Sequence, residues 1–426
     1  MGVKLNWPKK YLGDIAEFRN GINFNKNNFG EGMKIIGVAD FQDLIKPRYS
    51  ELDQVNPIGI VKEKDILKDK DIVFVRSNGN RELIGRSLYI DKPPANITHS
   101  AFTIRLRFIE QRVSSRFFAY LFRTKMVRDA LTAYGSGTNI SNLNQNILRT
   151  LEVPFPSYDL QCRIATILSN YDDLIENNLR RIKILEEIAQ NLYREWFVNF
   201  RFPDHENARF VDSPLGKIPE GWKCGLINDL FELYGGYPFK SKDFAKSAKY
   251  AIVTIKNVKD GVFIDKFDSQ VAELPSNMSK HCILSTGDIL ISLTGNVGRT
   301  CLAFGDNYLL NQRVAKIVPR IKNNLGFVYL MCRQKDFQKM LENISSGVAQ
   351  QNLSPIKMGN MEVVIPTEVM LKAFASYTEN IIELILKLYL QNKALNQIRD
   401  LLLPKLISGE VDVSDLDITL PEEVLA

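Results

Sequence analysis

Apolar side chains recur from residue 164 in alternating steps of four and three: Ile164, Leu168, Tyr171, Ile175, Ile182, Leu185, Ala189, Leu192 and Trp196, with Asn178 the polar exception. That spacing predicts a helix carrying a heptad seam. The same register returns 210 residues later (374 − 164 = 210) at Phe374, Ile381, Ile385, Leu388, Leu395, Leu402 and Leu406, interrupted by Thr378, Asn392 and Arg399. A seam of this kind suits either a helix lying on a core or a coiled coil, and coiled-coil pairing is the stronger reading. If the helices run antiparallel about a pseudo-twofold axis, position i opposes position (360 − i) + 210, which sets Asn178 against Asn392, Ile182 against Leu388, Ile175 against Leu395 and Leu168 against Leu402. A buried Asn–Asn pair fixes register at some cost in stability, so Asn178→Leu is expected to strengthen the pairing while loosening its register. Each helix would run roughly 50 Å over about 32 residues at 1.5 Å per residue, a rigid spacer to be compared with about 34 Å per turn of DNA.

Ahead of each seam the pattern changes to short strands bounded by Gly, Asn and Pro: Asp71–Val75 and Phe102–Leu106 in the first half, Asp288–Ser292 and Val314–Val318 in the second. A helix is expected after each set, over 115–132 and over 325–343. The fold class is therefore α+β: two globular domains alternate with two long helices that pair as an antiparallel coiled coil, in a pseudo-twofold internal repeat. The expected boundaries are 1–156 for the first domain, 157–200 for the central helix and 201–220 for a linker. The second domain takes 221–366, the C-terminal helix 367–410 and a tail 411–426.

Self-alignment carries this organisation beyond the helices. Gly137, Asn142, Leu143, Glu152, Val153 and Pro156 recur without a gap as Gly347, Asn352, Leu353, Glu362, Val363 and Pro366, an offset of 210 (352 − 142 = 210). Leu174, Ile175, Leu185, Ile188 and Leu192 recur likewise as Leu384, Ile385, Leu395, Ile398 and Leu402. Near the start the offset becomes 215 (222 − 7 = 215), pairing Trp7, Asp14, Glu17, Gly21 and Phe24 with Trp222, Asp229, Glu232, Gly236 and Phe239. Asp71-Ile72 matches Asp288-Ile289, and Gly85-Arg86 matches Gly298-Arg299. The helical parts match throughout, whereas the globular parts match only at turns and apolar positions. One scaffold carries two different surfaces.

Composition removes several classes of function. With 45% apolar and 24% charged residues over 426 positions the chain reads as an ordinary globular protein of two to three domains. The most apolar stretch, 381–390, is broken by Glu383 and Lys387, well short of the roughly 18 apolar residues of a membrane span. Met1 to Lys10 has no apolar signal core, so the expected location is cytoplasmic. Cys162, Cys224, Cys282, Cys301 and Cys332 are scattered, and so are His99, His205 and His281; neither set has metal-ligand or disulfide spacing. No phosphate-binding glycine motif occurs. Lys92-Pro93-Pro94-Ala95 shares only its Pro-Pro with the Asn-Pro-Pro-aromatic signature of adenine methyltransferases, and no Glu-x-Lys follows Pro203-Asp204 as a nuclease would need. No cofactor, metal or catalytic residue is expected.

The net charge of +6 permits an acidic partner. Basic and aromatic residues interleave at Arg105, Arg107, Arg112, Arg116, Phe117, Phe118, Tyr120, Arg123, Lys125 and Arg128, and again at Lys316, Arg320, Lys322, Tyr329, Arg333, Lys335 and Lys339. These suit phosphate contacts or a solvated helix face equally well. Polar loops suit base edges better, since Asn and Gln address adenine and Arg addresses guanine in the major groove. The DNA-binding candidates are Ser77, Asn78, Asn80, Arg81, Arg105, Ser136, Thr138 and Asn139 in the first domain. In the second they are Thr294, Asn296, Arg299, Ser346, Gln350 and Gln351. Loops that recur in position but differ in content point to two different sequences being read.

The arrangement resembles the specificity subunit of type I restriction–modification systems over nearly the whole chain. The resemblance is carried by the tandem halves, the Gly…Asn-Leu…Glu-Val…Pro segment before each helix, and two specific motifs. These are the entry Pro214-Leu215-Gly216-Lys217-Ile218-Pro219-Glu220-Gly221-Trp222 and the closing Leu403-Pro404-Lys405-Leu406-Ile407-Ser408-Gly409-Glu410-Val411. The first half keeps only Asn6-Trp7-Pro8 of the entry. The resemblance implies two target-recognition domains, each reading one half of an asymmetric bipartite site in double-stranded DNA. It further implies helices that set the gap and dock two methyltransferase subunits, with motor-nuclease subunits completing the complex. The chain itself would be non-catalytic and bind no cofactor. Two other classes remain to be weighed: a self-contained methyltransferase or nuclease, which would bind S-adenosylmethionine or carry a carboxylate motif, and a coiled-coil scaffold with no role on DNA.

Overall fold

The computed structural model describes residues 7–41, 45–78, 83–133, 143–245, 247–321, 324–345 and 351–419. Both seams are helical. The first helix runs Tyr158–Tyr193 and ends in a π-helical turn, Arg194–Val198; the second runs Glu368–Ile407. The chain divides into two compact units, Met1–Leu174 with Leu395–Ala426, and Ile175–Ala394. Each unit thus contains one globular domain and a stretch of both long helices.

Within the second unit the helices pair antiparallel in the register that the polar exceptions require. Asn178 Nδ2 donates to Asn392 Oδ1 at 2.9 Å and to Gln391 Oε1 at 3.2 Å, and Asn392 Nδ2 donates to the Ile175 carbonyl at 3.3 Å. Ile182 clusters with Leu388 and Ile385, and the Trp196 ring lies 5.5 Å from that of Phe374, its opposite number at 570 − 196. In the first unit Ile164 and Leu168 share a core with Leu406 and Leu402, again antiparallel. Asn178 and Asn392 are 1% and 6% exposed, and Asn178 Oδ1 is buried without a partner. Asn178→Leu alone would remove the donor that satisfies Asn392 Oδ1, so the stabilisation read from the sequence requires exchange of both asparagines.

The other polar seam positions have local causes. Thr378 is fully buried, donates to the Phe374 carbonyl at 3.1 Å and packs against Gly326, where a Cβ would lie 2.4 Å from its hydroxyl. Arg399 pairs with Asp172 at 2.5 Å, and Asp172 also accepts from Tyr120 Oη at 2.5 Å. Asp172 thereby ties the first domain to both helices. The second domain uses a different set: Tyr329 donates to Glu186 at 2.8 Å, and Arg333 pairs with Glu186 and, at 3.4 Å, with Asp260.

The two domains share one strand order. In the first, Ala16–Asn20, Thr103–Phe108, Ile72–Val75 and Ser87–Tyr89 lie side by side; in the second, Phe231–Gly235, Val314–Pro319, Ile289–Ser292 and Thr300–Leu302 do the same. Each domain adds one parallel pairing, Lys34–Ile36 with Ile97–His99 and Ala251–Val253 with Tyr308–Leu310. Entry and exit strands zip together, Lys9–Tyr11 with Glu152–Pro154 and Lys223–Leu226 with Glu362–Ile365. A short helix precedes each exit strand, capped by Asn144 in one half and Ser354 in the other. The hairpin of Val258–Lys259 and Val262–Phe263 has no counterpart among the described residues of the first domain.

The helix expected over 115–132 is two helices, Ser115–Leu121 and Lys125–Ala133, and that over 325–343 is Leu325–Cys332 and Lys335–Ile344. The breaks have physical causes. Thr124 bonds back to the Leu121 carbonyl and opens the next helix, while Arg333 is drawn to Glu186 and Gln334 is extended. Phe117, Phe118 and Tyr120 face inward, so this part of the basic–aromatic pattern builds core rather than a stacking surface. At the C-terminus Gly409 adopts φ +70°, the left-handed turn that stops a helix. Leu406, Ile407 and Val413 then pack into the first unit's core, a structural use for the closing motif.

His99 gives the first domain a pH signature. Thr103 Oγ1 donates to the Ser100 carbonyl, so His99 Nδ1, 2.8 Å away, carries the hydrogen and donates to it, leaving Nε2 buried without a partner. Burial, and then the Arg105 charge, push the imidazole down from 6.5 to about 3. Below pH 6.5 the unfolded chain takes up a proton that the folded chain refuses, so stability falls as pH falls from 6.5 towards 3. His99→Asn keeps a donor and removes the titration. Its unfolding free energy, followed by urea titration from pH 6 to 4, should fall less steeply than the native chain's by about 1.4 kcal/mol per pH unit; equal slopes would refute this assignment.

Candidate nucleic-acid interface

The candidate loops stand on a backbone frame repeated in both domains. In the first, strand Ile72–Val75 runs into 76–78 beside the turn 100–103 and the segment at 143. Six backbone bonds join them: Gly21 N to Thr103 O, Ile22 N to His99 O, Ala101 N to Ile22 O, Thr103 N to Ser100 O, Arg76 N to Phe102 O and Leu143 N to Arg76 O, all between 2.8 and 3.2 Å. The second domain repeats each one: Gly236 N to Val314 O, Tyr237 N to Leu310 O, Gln312 N to Tyr237 O, Val314 N to Asn311 O, Leu293 N to Arg313 O and Leu353 N to Leu293 O, between 2.8 and 3.3 Å. Position by position, 76 corresponds to 293, 77 to 294, 102 to 313 and 143 to 353.

Close approach of two chain segments explains the repeated glycine. A Cβ on Gly21 would lie 2.2 Å from His99 O and 2.3 Å from Ser100 O; one on Gly236 would lie 2.3 Å from Asn311 O. Only hydrogen fits between these backbones. The side chains on the frame are not constrained in this way, and they differ between the halves.

Thr294, Asn296, Arg299 and Gln351 come together in the second domain. Gly295 N bonds to Gln351 O at 3.2 Å, and Thr294 bridges to Asn352. With its carboxamide turned to accept, Asn296 takes both Arg299 Nη atoms at 3.1 and 2.9 Å. Ser292 Oγ donates to the Asn296 carbonyl at 2.6 Å and accepts from Arg299 N at 3.1 Å, which pins the loop from inside. Among the described residues the buried Thr294 Oγ1 has no partner. In the first domain Ser77 and Asn78 are half-buried, and Ser77 N reaches Phe102 O at 3.3 Å. Asn80, Arg81, Ser136, Thr138, Asn139, Ser346 and Gln350 lie outside the described residues, as do Asn6, Gly137, Asn142, Lys322 and Gly347 of the motifs above.

Arg105 requires a correction. It is 4% exposed, donating to Glu17 at 2.6 Å and to the Lys64 carbonyl at 3.2 Å. Its neighbour on the same strand face, Arg107, pairs with Asp71 at 2.6 Å. Both charges are spent inside the domain, because acidic residues far away in sequence fold over that face. Four exposed or half-exposed residues that the sequence did not single out stand on the frame instead: Arg76, Phe102, Gln312 and Arg313. The sequence puts Phe102 at the head of a strand, whereas the strand begins at Thr103 and Phe102 lies in the turn before it.

All five cysteines are free, and among the described residues no group of His, Cys, Asp and Glu could hold a metal ion. No helix of the described residues is long and apolar enough to cross a membrane.

Comparison with known proteins agrees with the repeat. The family profile described as "Type I restriction modification DNA specificity domain" matches residues 4–188 and 219–391. The MjaIX specificity subunit of Methanocaldococcus jannaschii is 29% identical over 322 residues, covering 71% of each chain. The HindI specificity subunit of Haemophilus influenzae is 23% identical across 95% of this chain and the whole of that protein. The crystal structure of the S subunit of a type I system from M. genitalium shares the fold, with a TM-score of 0.55 at 17% identity, over 94% of this chain and 96% of that one. Two matched domains, a duplicated frame with divergent loops and an antiparallel helix pair lead to one conclusion: the chain belongs to the type I restriction–modification DNA specificity family, as a non-catalytic recognition subunit.

Proposed function

We propose that each globular domain reads one half of an asymmetric, bipartite site in double-stranded DNA, that the paired helices set the gap, and that two methyltransferase subunits dock on the helices, with motor-nuclease subunits completing the complex. The domains would be 1–156 and 221–366, joined by the helices 157–200 and 367–410, the linker 201–220 and the tail 411–426. The observation that carries the reading is the repeated backbone frame with different exposed side chains. A constant frame positions; variable side chains specify. Ser77, Asn78, Thr294, Asn296, Arg299 and Gln351 are the base-edge candidates among the described residues, with Asn80, Arg81, Ser136, Thr138, Asn139, Ser346 and Gln350 as further candidates.

A second observation supports two copies of one docking partner. Leu174, Ile188, Leu384 and Ile398 each sit one residue ahead of a seam position, and all four are exposed. Leu174 and Ile398 belong to the first unit, Ile188 and Leu384 to the second. Each unit thereby offers one such aliphatic side chain from each helix. Isolated exposed aliphatics are ordinary; their recurrence at an offset of 210 (384 − 174 = 210) is what favours a repeated docking surface.

The test is to co-express the chain with its methyltransferase and map adenine methylation across the host genome. A split motif is expected, and a single contiguous motif would overturn the reading. Exchanging residues 1–155 for those of a relative should change one half of the motif alone, and lengthening both helices should change the gap alone.

A further inference from the structure

We infer that the residue at the apex of the repeated turn, Phe102 in the first domain and Arg313 in the second, reads a base in its own half-site: Arg313 a guanine, Phe102 the methyl group of a thymine. The inference rests on the reading that each domain recognises one half of a split DNA site, and it names the position and chemistry within that site.

An exposed phenylalanine or arginine is by itself unremarked surface. The frame changes that. Phe102 is 61% exposed although its carbonyl is fixed by Arg76 N at 2.8 Å and Ser77 N at 3.3 Å, and Arg76 Nη1 braces the Ala101 carbonyl at 3.3 Å. The backbone that carries the ring is thus fixed, and the ring stands exposed on it. Arg313 occupies the matching position, its carbonyl accepting from Leu293 N at 2.9 Å and its own N–H held by Asn311 Oδ1 at 3.2 Å. Its side chain is exposed, and among the described residues its guanidinium has no partner. Arg105, Arg107 and Arg299, by contrast, are each tied to a neighbour.

The turn is shaped by main-chain bonds and by Gly21 or Gly236, so its apex residue is free to vary without altering the frame. A recognition position needs that property. It also lies beside the base-edge candidates, Ser77 in one half and Thr294 in the other. The two chemistries differ as two half-sites would require. An arginine makes paired hydrogen bonds to guanine O6 and N7, and a phenylalanine makes apolar contact with the thymine C5-methyl in the major groove.

The experiment uses the assembled complex of this chain with its methyltransferase. Once the native motif is mapped, binding is measured on duplexes in which single thymines of the first domain's half are replaced by deoxyuridine, and single guanines of the second domain's half by 7-deazaguanine. One deoxyuridine position should weaken the native complex about tenfold and leave the Phe102→Ala complex indifferent, and one 7-deazaguanine position should do the same for native against Arg313→Ala. Each variant should relax one position of one half of the methylated motif, with the other half and the gap unchanged. A half-site lacking the named base, a native complex indifferent to every substitution, or variants that lose affinity equally on all duplexes would each overturn the inference. The duplex arm needs only the native chain, so a variant that failed to fold would not shelter it. A contiguous native motif would instead overturn the two-headed reading on which the inference stands.

Discussion

Glu186→Ala is expected to destabilise the second unit by about 3–5 kcal/mol, the cost of leaving a buried charge without its partner. The Arg333 and Glu186 side chains are 9% and 11% exposed. Burial holds the Glu186 carboxyl above its ordinary range, and the Arg333 charge and the Tyr329 hydroxyl offset this only in part. Removing the carboxylate takes away the closest charge of the buried guanidinium, leaving it Asp260 at 3.4 Å and, with its carboxamide turned to accept, Gln190 at 3.0 and 3.1 Å. The triple exchange Glu186→Leu, Tyr329→Phe and Arg333→Met removes both charges and the hydroxyl that bonds them, and should recover most of the loss, because a buried pair has little net worth beside apolar side chains of similar volume. Calorimetry of the full chain reads both variants. A loss below about 1 kcal/mol for the single exchange, the range of exposed pairs, would mean that the pair is effectively solvated. In the assembled complex the same exchange should reduce methylation, since Glu186 and Tyr329 hold the second domain to its helix.

Gly236→Ala is expected to cost about 3 kcal/mol, the upper range for overpacking, because backbone carbonyls leave little room for repacking. The new methyl would stand 2.3 Å from Asn311 O and 2.5 Å from Leu310 O. Relief requires pushing the turn 311–314 outward, which breaks the bond of Gln312 N to Tyr237 O and displaces Arg313. Gly235→Ala is the control, since a Cβ there meets nothing within 4 Å and should change stability by less than about 0.5 kcal/mol. Unfolding midpoints in urea separate the two, and methylation should be lost in Gly236→Ala and kept in Gly235→Ala. Equal behaviour of the two variants would show that the frame tolerates displacement. Gly21→Ala should behave alike in the first domain, where the approach is 2.2 Å.

The long helices and their register were legible because the information is periodic and local. A step of four and three along 164–196 states which face is buried without reference to any other part of the chain. The polar exceptions then set the register, since Asn178 can be satisfied inside a seam only by a partner such as Asn392. The offsets of 210 and 215 include one pair under direct steric demand, Gly21 and Gly236 between backbones, and one pair, Leu143 and Leu353, whose N–H groups bond to the residue that follows the strand leading into the loops.

The candidate interface is legible in the sequence only in outline. Residue type marks polar loops as candidates, but it cannot show that Arg105 is buried, because its partner, Glu17, lies 88 residues away in sequence. By sequence Arg333 is one more basic residue of a helix, yet Glu186, 147 residues distant, makes it a buried anchor. A lone charge in a sequence looks the same whether water or a distant carboxylate will solvate it. Phe102 and Arg313 are illegible in sequence for the opposite reason: main-chain bonds, which any residue makes, align them, so neither their identity nor their spacing records the match. The sequence by itself therefore determined the duplication, the helix pair and its register, because periodicity and steric necessity are written in residue type. Which charges are spent inside and which side chains stand on the shared turn was decided only by tertiary structure, because those outcomes depend on neighbours brought together from distant parts of the chain.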